Sequence, residues 1–113
     1  MKKYIFYLLA WCCISTLSAQ TLNQAKKLFD NGAYEQAKTA FSKLIKRSPN
    51  SAEYNYYYGA SLDETGELNK AVPYLEKSAK RNYIGAFRYL GKAYADLYRF
   101  DEAVENYETH IDW

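Results

Sequence analysis

The sequence contains few of the residues that carry out catalysis or bind metals. It has 2 cysteines and 1 histidine in 113 residues, and Cys12 and Cys13 both lie near the start, so no thiol follows them. His110 has no cluster of acid–base or metal-ligating partners near it in the sequence, whereas a catalytic or zinc site needs several such groups. A glycine-rich phosphate loop is also missing. The sequence therefore predicts a protein that is not an enzyme and that has no metal or cofactor site.

An excess of charge of one sign is missing as well. Removing Lys2 and Lys3 from the 15 basic residues leaves 13, against 13 acidic residues that all lie further along the chain. A nucleic-acid-binding domain is usually strongly basic, because much of its affinity comes from contacts with phosphates. The near-neutral charge after the first segment argues against a nucleic-acid partner.

The first residues have the composition of a secretory signal peptide. A basic start is followed by an apolar run from Tyr4 to Ile14 and then by small residues that end at Ala19. This order predicts a signal peptide over residues 1–19 that is removed on export. The predicted location is the periplasm or the outer membrane, after secretion across the inner membrane, with membrane contact only through the cleaved signal or a partner.

Two alternatives to a cleaved signal are less favoured. A membrane-spanning helix needs about 20 predominantly apolar residues, and the uninterrupted run here is shorter. A bacterial lipoprotein would carry its lipid on Cys12 or Cys13, but neither cysteine follows a small residue.

A pattern recurs three times after this segment. Its most regular position is a small residue at Ala37, Ala71 and Ala103, with spacings of 34 and 32 residues. The pattern that precedes each of them reads Thr21-x2-Gln24-Ala25-x2-Leu28, Asn55-x2-Tyr58-Gly59-x2-Leu62 and Phe87-x2-Leu90-Gly91-x2-Tyr94. Side chains at these intervals fall on one face of a helix. The pattern predicts pairs of amphipathic helices.

These units resemble the tetratricopeptide repeat (TPR), which carries an aromatic residue, Leu-Gly and Tyr on its first helix and Ala-x3-Phe followed by Pro on its second. Pro49 supplies that proline after the first unit. The resemblance implies an all-α fold over residues 20–113, an α-solenoid of antiparallel helix pairs with about three units. The units are residues 20–50, 51–82 and 83–113, of which the last is incomplete. The second junction, residues 81–86, departs from the pattern because it is two residues short and has no proline.

Small residues have predictable places in such a fold. Gly59 and Gly91 are expected where two helices cross closely, since a side chain there would push the helices apart. Gly32 and Gly66 mark turns in which a left-handed residue ends the first helix of a unit. At the first junction, the stretch Ser48-Pro49-Asn50-Ser51 is expected to end one helix and cap the next.

The resemblance also implies a partner-binding groove, because the first helices of successive TPR units line a concave surface. The residues predicted to line it are Lys26, Phe29, Tyr56, Asp63, Arg88 and Lys92. Tyr56 and Asp63 are predicted to be the exposed candidates of the middle unit. Such a mixed surface suits an extended peptide or a helix, although it can also be merely solvated. The Lys and Asn set with which chaperone-adaptor TPRs grip a C-terminal carboxylate is not matched, so that activity is not implied.

The second helix of the third unit is predicted to carry an apolar edge. The edge residues are Tyr107, Ile111 and Trp113, beside Val104. Stacked repeats usually end in a polar capping unit. The edge therefore indicates either a longer protein, which is the favoured interpretation, or a partner-binding surface.

Two hypotheses about function follow. The leading one is a non-catalytic scaffold or adaptor of the bacterial cell envelope that binds a protein or peptide partner in the groove or at the apolar edge. The alternative is the N-terminal targeting or interaction arm of a larger envelope protein, such as an enzyme, a β-propeller or a peptidoglycan-binding protein, with its other domains beyond residue 113. A less favoured idea is a small-molecule sensor that uses some of the 13 tyrosines.

Overall fold

A computed structural model describes residues 21–97 and 99–112, with side chains described as far as Thr109. The predicted signal peptide, residues 1–19, lies outside the described residues, as do Trp113 and the side chain of Ile111. The described chain contains six helices and no strand. Their bounds are α1 at 21–30, α2 at Tyr34–Arg47, α3 at Ala52–Glu64, α4 at Leu68–Ala79, α5 at Ile84–Asp96 and α6 at Phe100–Asp112. The predicted all-α fold is confirmed.

The turns within the first two helix pairs share one geometry. Gly32 has a φ of 79° and Gly66 a φ of 86°, as predicted for left-handed residues. The next amide closes each turn, with Ala33 N donating to Leu28 O at 2.8 Å and Glu67 N to Leu62 O at 2.8 Å. This is the Schellman arrangement, which satisfies carbonyls at a helix end. It reverses the chain within a few residues, so the two helices of a pair pack antiparallel.

The two junctions between helix pairs are built differently. At the first junction, the Ser51 hydroxyl accepts a hydrogen bond from Tyr54 N at 3.2 Å, which confirms the predicted cap. At the second junction, Asn82 has a φ of 61°, and Tyr83 N donates to Ser78 O at 3.3 Å. Asparagine is one of the few residues that tolerate this backbone conformation. The shorter second junction therefore closes with the same type of turn that the glycines form inside the pairs.

The core lies between the helices and follows the predicted small residues. Ala37 and Ala71 have no exposed surface, and Ala103 is 3% exposed. A Cβ added at Gly59 would lie 2.8 Å from Leu75 Cγ, and one added at Gly91 would lie 2.8 Å from Tyr107 Cδ1. These contacts confirm that the two glycines sit at close helix crossings. The shape of the stack therefore depends on alanine at the first set of positions and on glycine at Gly59 and Gly91.

Candidate protein-interaction site

A continuous network of aromatic rings links the helices behind the predicted groove. Tyr57 on α3 stacks on Phe41 of α2, with ring centroids 4.9 Å apart and an interplanar angle of 6°. It also meets the edge of Phe29 on α1 at 5.2 Å. Tyr56 contacts Tyr57 at 5.0 Å. Pairs in such geometries contribute about 0.5–1.5 kcal/mol each beyond their buried area, so these rings hold neighbouring units together.

Tyr56 is a packing residue rather than the freely exposed side chain that the sequence predicts. Its ring lies 4.7 Å from that of Tyr83 and 5.8 Å from that of Tyr89, so it is half-buried. A Cβ at Gly85 would lie 2.8 Å from Tyr56 Cε1, so only glycine leaves room for the ring. Burial raises the pKa of Tyr56 to about 12. The prediction of exposure is wrong because tyrosines at the start of the next unit cover this face.

Asp63 is also buried, contrary to the sequence prediction. Its side chain is 1% exposed, and Lys92 Nζ lies 3.5 Å from Asp63 Oδ1. The other carboxylate oxygen has no hydrogen-bond partner among the described residues. Burial raises the pKa of Asp63 above its ordinary value of 3.8, and Lys92 opposes that rise. The carboxylate is covered because α5 lies directly over the end of α3.

We expect Asp63→Asn to stabilise the protein at about pH 7, because the variant removes a carboxylate whose charged form burial disfavours. A pKa that is higher in the folded than in the unfolded state means that the folded chain binds the proton more tightly. Stability from this group is therefore present at low pH and is lost as pH rises through the folded pKa. The gap between variant and wild type should shrink as pH falls to about 4.

Urea unfolding at several pH values measures this difference. Glu108→Gln is the matched control, since it removes a carboxylate from an exposed position of α6. An Asp63→Asn variant that is less stable than wild type at about pH 7 would show that the ion pair with Lys92 outweighs the cost of burial.

Lys26 and Phe29, the predicted groove residues of the first unit, hold the stack together. Lys26 Nζ lies 2.9 Å from Glu53 Oε1 on α3 and 5.8 Å from the centre of the Tyr57 ring. Phe29 contacts Tyr34 at 5.2 Å in addition to Tyr57. Both side chains are thus engaged within the chain, and the Lys26 side chain is 35% exposed.

The open surface lies instead at the third unit. A cavity of about 320 Å³ is lined by Glu64, Arg88, Tyr89, Lys92 and Tyr107. We call it the α5–α6 cavity. Arg88 is exposed and forms no ion pair with a described residue. The Lys92 side chain is 47% exposed.

The α5–α6 cavity is lined by residues from two surfaces that the sequence predicts as separate, the groove and the apolar edge. Arg88 and Lys92 come from the predicted groove, and Tyr107 from the predicted apolar edge. The sequence does not predict the other two lining residues, Glu64 and Tyr89, as part of a site. In the structure, Tyr89 Oη donates a hydrogen bond to Glu64 Oε1 at 3.1 Å. Burial raises the pKa of Tyr89. Its register could have revealed it, because Tyr89 stands two residues before Gly91 as Tyr57 stands two before Gly59.

The apolar edge is exposed where the structure describes it. Val104 is 54% and Tyr107 is 39% exposed. The other two predicted edge residues, Ile111 and Trp113, have no described side chain. That this edge binds a partner stays a prediction.

Two further features are absent from the described residues, a metal site and a membrane-spanning helix. No group of three or more metal-ligating side chains there is arranged to hold an ion. None of the described helices combines the length and apolar character needed to cross a membrane.

Known proteins share both sequence and fold with this chain. The human protein O-mannosyl-transferase TMTC3 is 29% identical over 108 residues, which cover 93% of this chain and 12% of that protein. The chain thus spans about an eighth of the length of this curated relative. A structure of MamA is 28% identical, has a TM-score of 0.75 and is matched over 81% of this chain and 55% of that one.

Two other solved structures share the fold at lower identity. PcrH in complex with the chaperone-binding region of PopD has a TM-score of 0.78 and 16% identity, with coverage of 85% of this chain and 74% of that chain. The second TPR of Spaghetti (RPAP3) bound to an HSP90 peptide has a TM-score of 0.75 and 19% identity, with coverage of 82% and 88%.

A family match covers helices α2 to α4 and most of α1. The tetratricopeptide repeat model matches residues 22–87, more than half of the chain. The repeated alanines, the glycine turns and the helix pairs all lie in the register of that repeat. This chain belongs to the tetratricopeptide repeat family.

Proposed function

We propose that this chain is a non-catalytic scaffold of the bacterial cell envelope that binds a protein or peptide partner at the α5–α6 cavity. The TPR fold is in general a scaffold for protein–protein interactions. Two of the structural neighbours contain a bound partner segment, from PopD in one and from HSP90 in the other. The observation that carries the proposal is the cavity that brings Arg88, Lys92 and Tyr107 together.

This surface has the composition of an interface. Tyrosine and arginine are enriched where proteins bind each other, because they combine large contact area with specific hydrogen bonding and charge. Here Arg88 is exposed and Tyr107 is 39% exposed, whereas Lys26, Phe29 and Tyr56 are engaged within the stack. The α5–α6 cavity is thus where side chains suited to binding are most accessible.

The envelope location in this proposal is supported by the sequence of the first segment. Its basic start, apolar run and small-residue end are the features of an exported protein. The alternative, an interaction arm of a larger envelope protein, is tested by the reading frame after Trp113. A stop codon directly after that residue would remove the alternative.

Capture of partners from an envelope extract tests the scaffold. Arg88→Glu is the most suitable variant, because Arg88 is exposed and has no ion pair among the described residues to lose. We expect it to reduce capture by about fivefold or more, because the new negative charge would repel the partner group that pairs with Arg88. Tyr56 is unsuitable as a probe, because its ring packs against three others.

Arg47→Glu, at an exposed position near the end of α2, is the matched control and should capture partners as wild type does. Circular dichroism checks that both variants are folded. If Arg88→Glu and Arg47→Glu retain the same partners in equal amounts, the α5–α6 cavity is not the binding surface.

A further inference from the structure

The chain contains an internal example of how one of its units receives a helix. Two of the contacts that seat helix α3 on the first unit are an ion pair and a ring stack. Lys26 on α1 pairs with Glu53 at 2.9 Å, and Phe41 on α2 stacks flat on Tyr57 at 4.9 Å. Glu53 and Tyr57 are four residues apart, so they lie on the same side of α3. A cation and a ring on one unit thus recognise an acid and a ring on the next helix.

The third unit carries the same two recognition residues. Lys92 follows Gly91 as Lys26 follows Ala25, and Tyr107 stands four residues after its core alanine as Phe41 does. Both cation–ring pairs are separated by 15 residues. Lys92 and Tyr107 line one cavity.

The middle unit has no counterpart of the ion pair that Lys26 and Glu53 form at the first junction. Ala60 stands at the register position of Lys26, and Leu75 at that of Phe41. The helix that covers this unit, α5, has Gly85 in place of Glu53 but retains an aromatic residue, Tyr89, in place of Tyr57. An acid therefore appears on the incoming helix where the receiving unit has a cation, and it is absent where the receiving unit has alanine.

Among the described residues, the surface of the third unit that corresponds to the seat of α3 is accessible. Phe41 has no exposed surface because Tyr57 covers its ring, whereas Tyr107, its counterpart, is 39% exposed. The Lys92 side chain is 47% exposed, compared with 35% for that of Lys26. The partners of Lys92 within the chain are more distant than that of Lys26, at 3.5 Å for Asp63 and 3.9 Å for Glu64.

We propose that the α5–α6 cavity binds a helix of a partner protein that carries an acidic residue four positions before a tyrosine or phenylalanine. The acid pairs with Lys92 and the partner's ring stacks on Tyr107, as Glu53 and Tyr57 do at the first junction. Lys92 already lies near the carboxylates of Asp63 and Glu64, whereas Arg88 lines the cavity with no ion pair to a described residue, so it is available to a second acid on the partner helix. This inference rests on the proposed scaffold function and specifies the chemistry of its partner.

A helical peptide copied from α3 is the probe. It spans residues 51–66, carries a fluorescent label, and has a hydrocarbon staple in place of Gly59 and Asp63. In the chain these two residues face α4 and α5 rather than the first unit, since Gly59 lies against Leu75 and Asp63 lies beside Lys92. The staple is needed because isolated helices of this length are marginally stable in water. Fluorescence anisotropy measures its binding to the full chain.

We expect the labelled peptide to bind and the affinity to depend on both recognition residues. Lys92→Met, or Glu53→Gln in the peptide, should each weaken binding by about two- to fivefold, the range of a partly exposed ion pair. The two changes together should weaken it no more than either alone, which is the signature of direct pairing. Tyr107→Leu keeps an apolar side chain against Gly91 and should weaken binding by about fivefold through loss of ring stacking.

Lys77→Met, at an exposed position of α4, is the matched control and should leave binding unchanged. The inference would be overturned if the peptide does not bind. It would also be overturned if Lys92→Met and Tyr107→Leu leave the affinity unchanged in chains that circular dichroism shows to be folded. A wild-type dimer in light scattering that Tyr107→Leu dissociates would also overturn it, in favour of a second copy. If the peptide fails while Arg88→Glu still abolishes capture, the scaffold proposal stands and only the helix chemistry is wrong.

Discussion

Replacing Phe41 by alanine is expected to lower the free energy of unfolding by about 3–5 kcal/mol, the usual cost of deleting a buried aromatic ring. Phe41 has no exposed surface, and its ring stacks on Tyr57 of the next unit. Its loss therefore leaves a cavity inside the first unit and also removes the contact that joins this unit to α3. Since a domain is stable by only about 5–15 kcal/mol, the variant should be close to unfolding.

Tyr107→Ala provides the comparison at the same register position of the third unit. Its ring packs on Gly91 but is 39% exposed, so we expect a loss of about half that for Phe41→Ala or less. Urea unfolding followed by far-UV circular dichroism measures both. Equal losses would mean that the exposed face of Tyr107 is covered in the native protein, contrary to the open cavity described above.

Ala71→Leu is expected to cost about 1–3 kcal/mol, because extra methylene groups in a close-packed crossing force side chains and backbone apart. Ala71 has no exposed surface and belongs to the main cluster of buried residues, together with Leu62 and Leu75. The adjacent crossing is already tight, since even a methyl group at Gly59 would meet Leu75 at 2.8 Å. Helices α3 and α4 cannot move apart without disturbing the units on either side.

Thermal melting compares this variant with Lys77→Leu, which adds a leucine at an exposed position of the same helix. The control should melt within a few degrees of wild type, because exposed substitutions usually change stability by about 0.5 kcal/mol or less. An Ala71→Leu variant that melts together with the control would place Ala71 outside the crossing and show that the repeat register is misassigned.

The candidate site could be predicted from the sequence in part. The sequence places Arg88 and Lys92 in the groove and Tyr107 on the apolar edge, and all three line the α5–α6 cavity. It also predicts that Tyr56 and Asp63 are exposed, whereas Tyr56 is half-buried and Asp63 is buried. The repeat register gives the direction in which each side chain leaves its helix, but exposure also depends on what the neighbouring unit places in front of it.

The amino-acid sequence by itself determined the helix pairs, the glycine turns and the core alanines, because each depends on local spacing along one or two helices. Only the tertiary structure decided which surface is open. The side chains that cover Tyr56 and Asp63 come from the next unit, where they differ from their counterparts elsewhere in the repeat. The proposed site is therefore the α5–α6 cavity rather than the middle of the groove, because the neighbouring unit sets which side chains are buried.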